Sequence, residues 1–151
     1  MSRAFVKEDD NAVEELPDRQ VSAAPNLVTP EGLAAIEAEC SRLNTELAAA
    51  GEDRSLRARI ARDLRYWTHR RGSAQLMPAP GDGEIVRFGS TVTLDRDDGR
   101  RLVFRIVGED EADPERGTLS HVSPLARALM GRQAGDSVRV AGRELDINAI
   151  A

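Results

Sequence analysis

The chain is short of cysteine, lysine, aromatic side chains and long apolar runs. Its one cysteine, Cys40, excludes an intramolecular disulfide and a cysteine-built zinc site. Aromatic residues are 3% of the total, so the core is expected from leucine, valine, isoleucine and alanine. No apolar run approaches the ~20 residues of a membrane span, and residues 1–10 lack the apolar core of a secretion signal. The expectation is a cytoplasmic protein with no membrane partner. His69 and His121 have no companion ligands at metal-binding spacing, so no metal and no cofactor is expected. Lysine occurs once, at Lys7, and nearly all positive charge is therefore arginine. A net charge of −5 argues against the whole molecule wrapping nucleic acid, which is expected to matter only indirectly.

What is present is charge sorted by segment. Residues 1–25 carry three basic and six acidic side chains and are punctuated by Pro17 and Pro25. They read as a disordered acidic arm. Residues 30–50 set Arg42 against four glutamates, while residues 54–71 hold seven arginines against Asp63 alone. Thr29-Pro30-Glu31 is a helix start, with a capping hydroxyl, a proline suited to the first turn and a carboxylate at the positive end of the dipole. Leu33, Ile36, Cys40, Leu43 and Leu47 then follow a heptad stripe. Gly51 breaks it, Asp53 or Ser55 can cap a second helix, and Leu56, Ile60, Leu64 and Trp67 form a second stripe. Two stripes joined by so short a turn pack antiparallel, and the acidic and basic arms are expected to attract across the seam. Gly72 is expected to end the second helix.

After Pro78-Ala79-Pro80-Gly81-Asp82-Gly83 the apolar period changes from helical to alternating. Residues 91–94 and 102–107 read as strands around an Asp97-Asp98-Gly99 turn. Thr118 to Val122 is a short strand. Pro124 opens a helix with Leu125, Leu129 and Met130 available to the core, and residues 137–140 and 145–150 close the sheet. Glu109 to Asp113 lacks the order of a calcium-binding loop and is expected as a solvated surface loop. The class is α+β.

The segments 89–94, 104–113 and 123–131, in that order, resemble the C-terminal domain of the bacterial Gre family of transcript cleavage factors (GreA/GreB). Leu27 to Gly32 resembles the family's opening of its first helix, and Arg65 to Arg70 the end of its second, so the resemblance covers residues 27–151. Beyond the acidic arm, taken over 1–26, it implies a coiled-coil hairpin over 27–77, a linker over 78–83 and an FKBP-like antiparallel sheet domain with one short helix over 84–151. It further implies a monomer that is not itself an enzyme and whose partner is RNA polymerase, at the β′ rim of the secondary channel. Val122, Ser123 and Pro124 resemble the docking turn, with Arg127 one helical turn on, although GreB-type members carry Asp where Val122 stands. Arg57, Arg62, Arg65 and Tyr66 are the expected hairpin contacts.

In cleavage-competent members the hairpin tip brings an Asp and a Glu beside the polymerase's magnesium. Paired carboxylates suit that task because Mg²⁺ takes hard oxygen ligands and two ions stabilise both attacking and leaving oxygens. Here the tip reads Ala50-Gly51-Glu52-Asp53-Arg54-Ser55-Leu56. Asp53-Arg54-Ser55 resembles the tip's Asp-x-Ser, Leu56 stands where the Glu is expected, and Glu52 is a carboxylate on the other side of Asp53. Each arm is about ten residues shorter than a cleavage factor's, or roughly 15 Å of reach at ~1.5 Å per residue. The layout is similar to short-hairpin relatives such as Rnk-type regulators. The expected function is a polymerase-binding elongation regulator without efficient cleavage stimulation; the alternative is an active cleavage factor using Asp53 and Glu52. A peptidyl-prolyl isomerase is disfavoured because residues 78–151 offer only Phe88, Phe104 and His121 to line a pocket.

Overall fold

A computed structural model describes residues 16–151. The first helix, α1 (Pro30–Ala49), starts where the Thr29 hydroxyl accepts a hydrogen bond from the Gly32 amide at 3.0 Å. Ile36, Cys40 and Leu43 are buried against the second helix, α2 (Arg54–Ser73). Gly51, at φ +61°, supplies the left-handed residue that reverses the chain. Asp53 then caps α2 by accepting from the Leu56 amide at 3.1 Å. The α2 stripe is shallower than expected: Ile60 is buried, but Leu56, Leu64 and Trp67 are only half-buried. α2 also runs past Gly72 to Ser73.

Two short strands tie the base of the hairpin. β1 (Leu27–Val28) enters α1, β2 (Gln75–Leu76) leaves α2, and they pair in parallel with Leu27 opposite Gln75. Two residues carry no legible periodicity, so neither strand was to be expected from sequence.

The remaining strands are β3 (Thr91–Arg96), β4 (Arg101–Val107), β5 (Thr118–Ser120), β6 (Ser137–Val140) and β7 (Arg143–Ile150), in the order β5-β4-β3-β7-β6. β3 and β4 form the expected hairpin, with Val92 opposite Phe104 and Leu94 opposite Leu102. β7 is antiparallel to both β3 and β6. β5, however, lies parallel to β4, so the sheet expected to be antiparallel is mixed at one edge. Residues 108–117, including a 3-10 turn at Pro114–Arg116, are long enough to carry the chain back before β5 begins. The helix α3 (Pro124–Leu129) covers one face, and its Ala126 and Leu129 join Val92, Leu94, Ile106 and Ile147 in the core. Met130, expected in that core, is 39% exposed at the end of α3.

Hairpin and sheet meet through buried polar groups. Arg70 is only 2% exposed. Its Nε donates to Asp110 at 2.5 Å and its Nη2 to the Asn26 side-chain oxygen at 2.7 Å. Asn26 donates back to the Arg70 carbonyl at 2.8 Å, and the Tyr66 hydroxyl donates to the other Asp110 oxygen. Glu111 accepts from the Thr29 amide at 3.1 Å, from the Gly108 amide at 3.3 Å and from the Thr29 hydroxyl. The fit is close: a side chain on Gly32 would overlap the Glu111 carboxylate, and one on Gly108 would strike the Leu27 carbonyl oxygen. The loop expected as solvated surface is therefore the clasp, and Arg70, one of the seven arginines between 54 and 71, is its centre.

The charges of the two arms pair differently from expectation. Arg42 pairs with Glu39 and Glu46 of its own helix. Asp63 and Arg65 of α2 turn to the preceding segment, where Arg19 reaches Asp63 at 3.5 Å and Asp18 accepts from Arg65 at 2.7 Å. The Arg19 guanidinium also lies over the Tyr66 ring, 4.0 Å from its centroid. Of the arm expected over residues 1–26, residues 1–15 lie outside the described residues, and residues 16–26 follow α2.

Two outcomes are expected. Asp110→Ala should destabilise the chain by about 3 kcal/mol, because it removes the carboxylate closest to the buried Arg70 and leaves that charge only Asn26 and the more distant Glu109. Asp95→Ala, which breaks an exposed pair with Arg101, should cost less than about 1 kcal/mol; denaturant midpoints compare the two. Tyr66 is the single tyrosine, and burial, followed by its hydrogen bond to Asp110, pushes its phenol up to about 12. Its contribution to stability is full below the unfolded value of 10.0 and is lost as pH rises towards about 12. Ultraviolet titration of the native chain should show phenolate forming near the upper value, and Asp110→Asn should lower it.

Candidate functional site

The tip places Glu52 and Asp53 side by side in the turn, both exposed. Asp53 is committed to the α2 cap. Leu56, the third residue of α2, presents an apolar side chain there. Arg57 reaches back across the turn and donates to the Leu47 and Gly51 carbonyls, both at 3.2 Å, which ties the start of α2 to the end of α1. Among the described residues, no three His, Cys, Asp or Glu side chains gather as a metal site.

The other expected hairpin contacts are engaged within the chain. Arg62 pairs with Asp63, Arg65 with Asp18, and the Tyr66 hydroxyl belongs to the clasp. Arg62 and Arg65 could exchange these partly exposed pairs for a partner's groups at little cost. Tyr66 could not without opening the Asp110 contact. Arg59 and Arg71 are exposed on the same helix.

The expected docking turn is built rigidly. Ser123 accepts from the Ala126 amide at 3.2 Å and so caps α3, while the Val122 amide donates to the Ser120 hydroxyl at 3.2 Å. Val122 and Ser123 are half-buried; Pro124 and Arg127 are exposed, and the partly exposed Met130 ends the same helix. Behind the turn, the His121 ring meets Phe88 edge-on at 5.6 Å, and burial holds its pKa below the ordinary value of 6.5. The structure thus offers two separate surfaces. One is a presented turn on the sheet domain; the other is a hairpin tip about 30 Å from the base along helices of about 1.5 Å rise per residue. Sequence reasoning placed Met130 in the core, because its position after Leu125 and Leu129 gave no sign of exposure. It also passed over Asn26, a lone polar residue before β1.

Comparison with known proteins bears on the chain's family. The family model for the C-terminal domain of the transcription elongation factors GreA and GreB matches residues 81–149. GreA of Rhodopseudomonas palustris (strain TIE-1) is 38% identical over 128 residues, which span 84% of this chain and 79% of that one. GreA of Bradyrhizobium diazoefficiens is 37% identical, with 84% and 80% covered. A crystal structure of GreA factor homolog 1 of Thermus thermophilus aligns at 23% identity and a TM-score of 0.42, over 85% of this chain and 99% of that one. The identity of 37–38% to GreA proteins over 84% of this chain makes it a member of the GreA/GreB family of transcription elongation factors.

Proposed function

We propose that this factor docks at the secondary channel of RNA polymerase and inserts its hairpin without completing a cleavage site. The Val122-Ser123-Pro124 turn and Arg127 would meet the β′ rim, and Arg57, Arg62 and Arg65 would line the channel. The tip carries this reading. Its one carboxylate in the expected position, Asp53, is bound to the first turn of α2, and the expected second carboxylate is replaced by Leu56, which has no oxygen to offer Mg²⁺. Each arm is 20 residues, about 30 Å long at ~1.5 Å per residue. The protein acts, on this view, by occupying the route that a cleavage factor or a backtracked transcript would use.

The test is RNA cleavage in a backtracked elongation complex stimulated by a long-hairpin Gre factor, with this protein titrated in. Cleavage is expected to slow. Unchanged cleavage would mean that the channel is not occupied, and faster cleavage would mean that Glu52 and Asp53 do reach the metal. Asp53→Ala should cost about 1 kcal/mol of stability through the lost cap and leave the competition intact. Arg127→Glu should raise the concentration needed for half-inhibition by about tenfold, equivalent to about 1.4 kcal/mol of docking.

A further inference from the structure

Beside the clasp, two buried polar atoms have no hydrogen-bond partner among the described residues: Glu109 Oε2 and His121 Nε2. Leaving such atoms unpaired away from water is costly. The two residues leave the same end of a pair of parallel strands. β4 ends at Val107 and runs on to Glu109, while β5 ends at Ser120, opposite Val107, and runs on to His121. The His121 amide donates to the Val107 carbonyl at 2.9 Å, which fixes its backbone at the root of the clasp loop.

The charged groups that act on the His121 ring come from three elements. Glu109 of the clasp loop favours the protonated ring, and Arg127 of α3 and Arg70 of α2 oppose it. The Pro25 carbonyl, from the segment before β1, also favours it. Burial outweighs these and, with the two arginines, holds the pKa below 6.5. The stability that the neutral ring contributes is therefore full above 6.5 and is lost as pH falls through the lower folded value. Glu109 is free to respond to a charged ring. Its Oε2 lies 3.8 Å from Arg70 Nη2, an ion pair without a hydrogen bond, and Arg70 keeps Asp110 and Asn26 without it.

We propose that His121 and Glu109 form a proton-operated latch at the base of the hairpin. A proton taken from solvent makes both ring nitrogens donors, so Nε2 gains the Glu109 Oε2 acceptor and draws that carboxylate away from Arg70. Acid thus ties the turn after β5 to the clasp loop and loosens the loop's hold on α2. The exchange is a property of the chain by itself. Its effect on transcription would rest on the proposed docking, since Val122 directly follows His121.

A pH titration of the full chain tests the latch, with NMR reading the His121 ring and the Arg70 Nε–H together. His69→Gln leaves His121 as the one titrating imidazole. Its midpoint is expected below 6.5, and the Arg70 Nε–H should shift at the same midpoint and exchange faster with solvent on the acid side. Glu109→Gln, which leaves the Arg70 bonds to Asp110 and Asn26 in place, should move the His121 midpoint further down and remove the shift at Arg70. A ring that stays neutral until the chain unfolds would overturn the proposal, as would one that titrates while Arg70 stays unchanged. So would an Arg70 shift that persists in Glu109→Gln, which would assign the coupling to charge acting at a distance. None of these readings involves polymerase, so a failed latch and a failed channel reading are separable.

Discussion

Arg70 carries a charge it cannot shed, and it is held with 2% of its surface in water. Everything around it must therefore supply acceptors, and the geometry in which Asp110, Asn26 and Glu109 all face it is narrow. Buried ion pairs of this kind are weak contributors to net stability, because desolvation consumes much of the Coulombic gain. Their effect is on geometry. An apolar seam would tolerate a small slide or rotation of the hairpin across the sheet. Here a slide would strand Arg70, the Tyr66 hydroxyl and the Thr29 amide together. The clasp aims the hairpin, and β1 paired with β2 keeps its two ends in register.

The arms become less secured with distance from that base. Ile36, Cys40, Leu43 and Ile60 are buried, but no residue from Asn44 to Arg59 is. The outer part relies on local devices: the Asp53 cap, the left-handed Gly51, Arg57 across the turn and the Arg42 pairs with Glu39 and Glu46. Such contacts are each worth around 1 kcal/mol or less. Local opening is thus easiest at the tip and hardest at the clasp. A plug needs a fixed base and tolerates a loose end, whereas a metal-positioning tip does not.

Much of this was legible from residue order. The caps at Thr29 and Asp53, the helix start at Pro124, the α1 stripe and the Asp97-Asp98-Gly99 hairpin all rest on interactions within a few residues, and each is present. What was hidden depends on partners far apart in the chain. Arg70 looks like any other of the seven arginines between 54 and 71 until Asp110, forty residues on, is placed beside it. Glu111 reads as solvated until Thr29 and Gly108 converge on it. Even the segments that carried the family resemblance, Leu27–Gly32 and the loop after β4, gave no hint that they meet; Gly32 and Gly108 are small because they do. At the tip the identities of Glu52, Asp53 and Leu56 were plain, but the engagement of Asp53 and Arg57 within the turn was not.

The pinned base also constrains how the proposed plug could become a cleavage factor. A hairpin held by the clasp cannot advance by sliding, so a deficit in reach must be met by unwinding the tip. An extended residue gains about 1.8 Å over a helical one, the difference between ~3.3 and ~1.5 Å of rise. Recovering the roughly 15 Å expected from the sequence would then unwind about eight residues of each arm. That removes the Asp53 cap, the Gly51 turn and the Arg57 contacts together. The carboxylate would arrive on a disordered tether, while Mg²⁺ needs its ligand oxygen held at about 2.1 Å. Ordering such a tether costs about 1–2 kcal/mol per residue, more than the interactions at the tip can return. The 20-residue arms and the pinned base therefore both support the proposed reading, in which the hairpin would occupy the channel and leave the polymerase's metal site as it was.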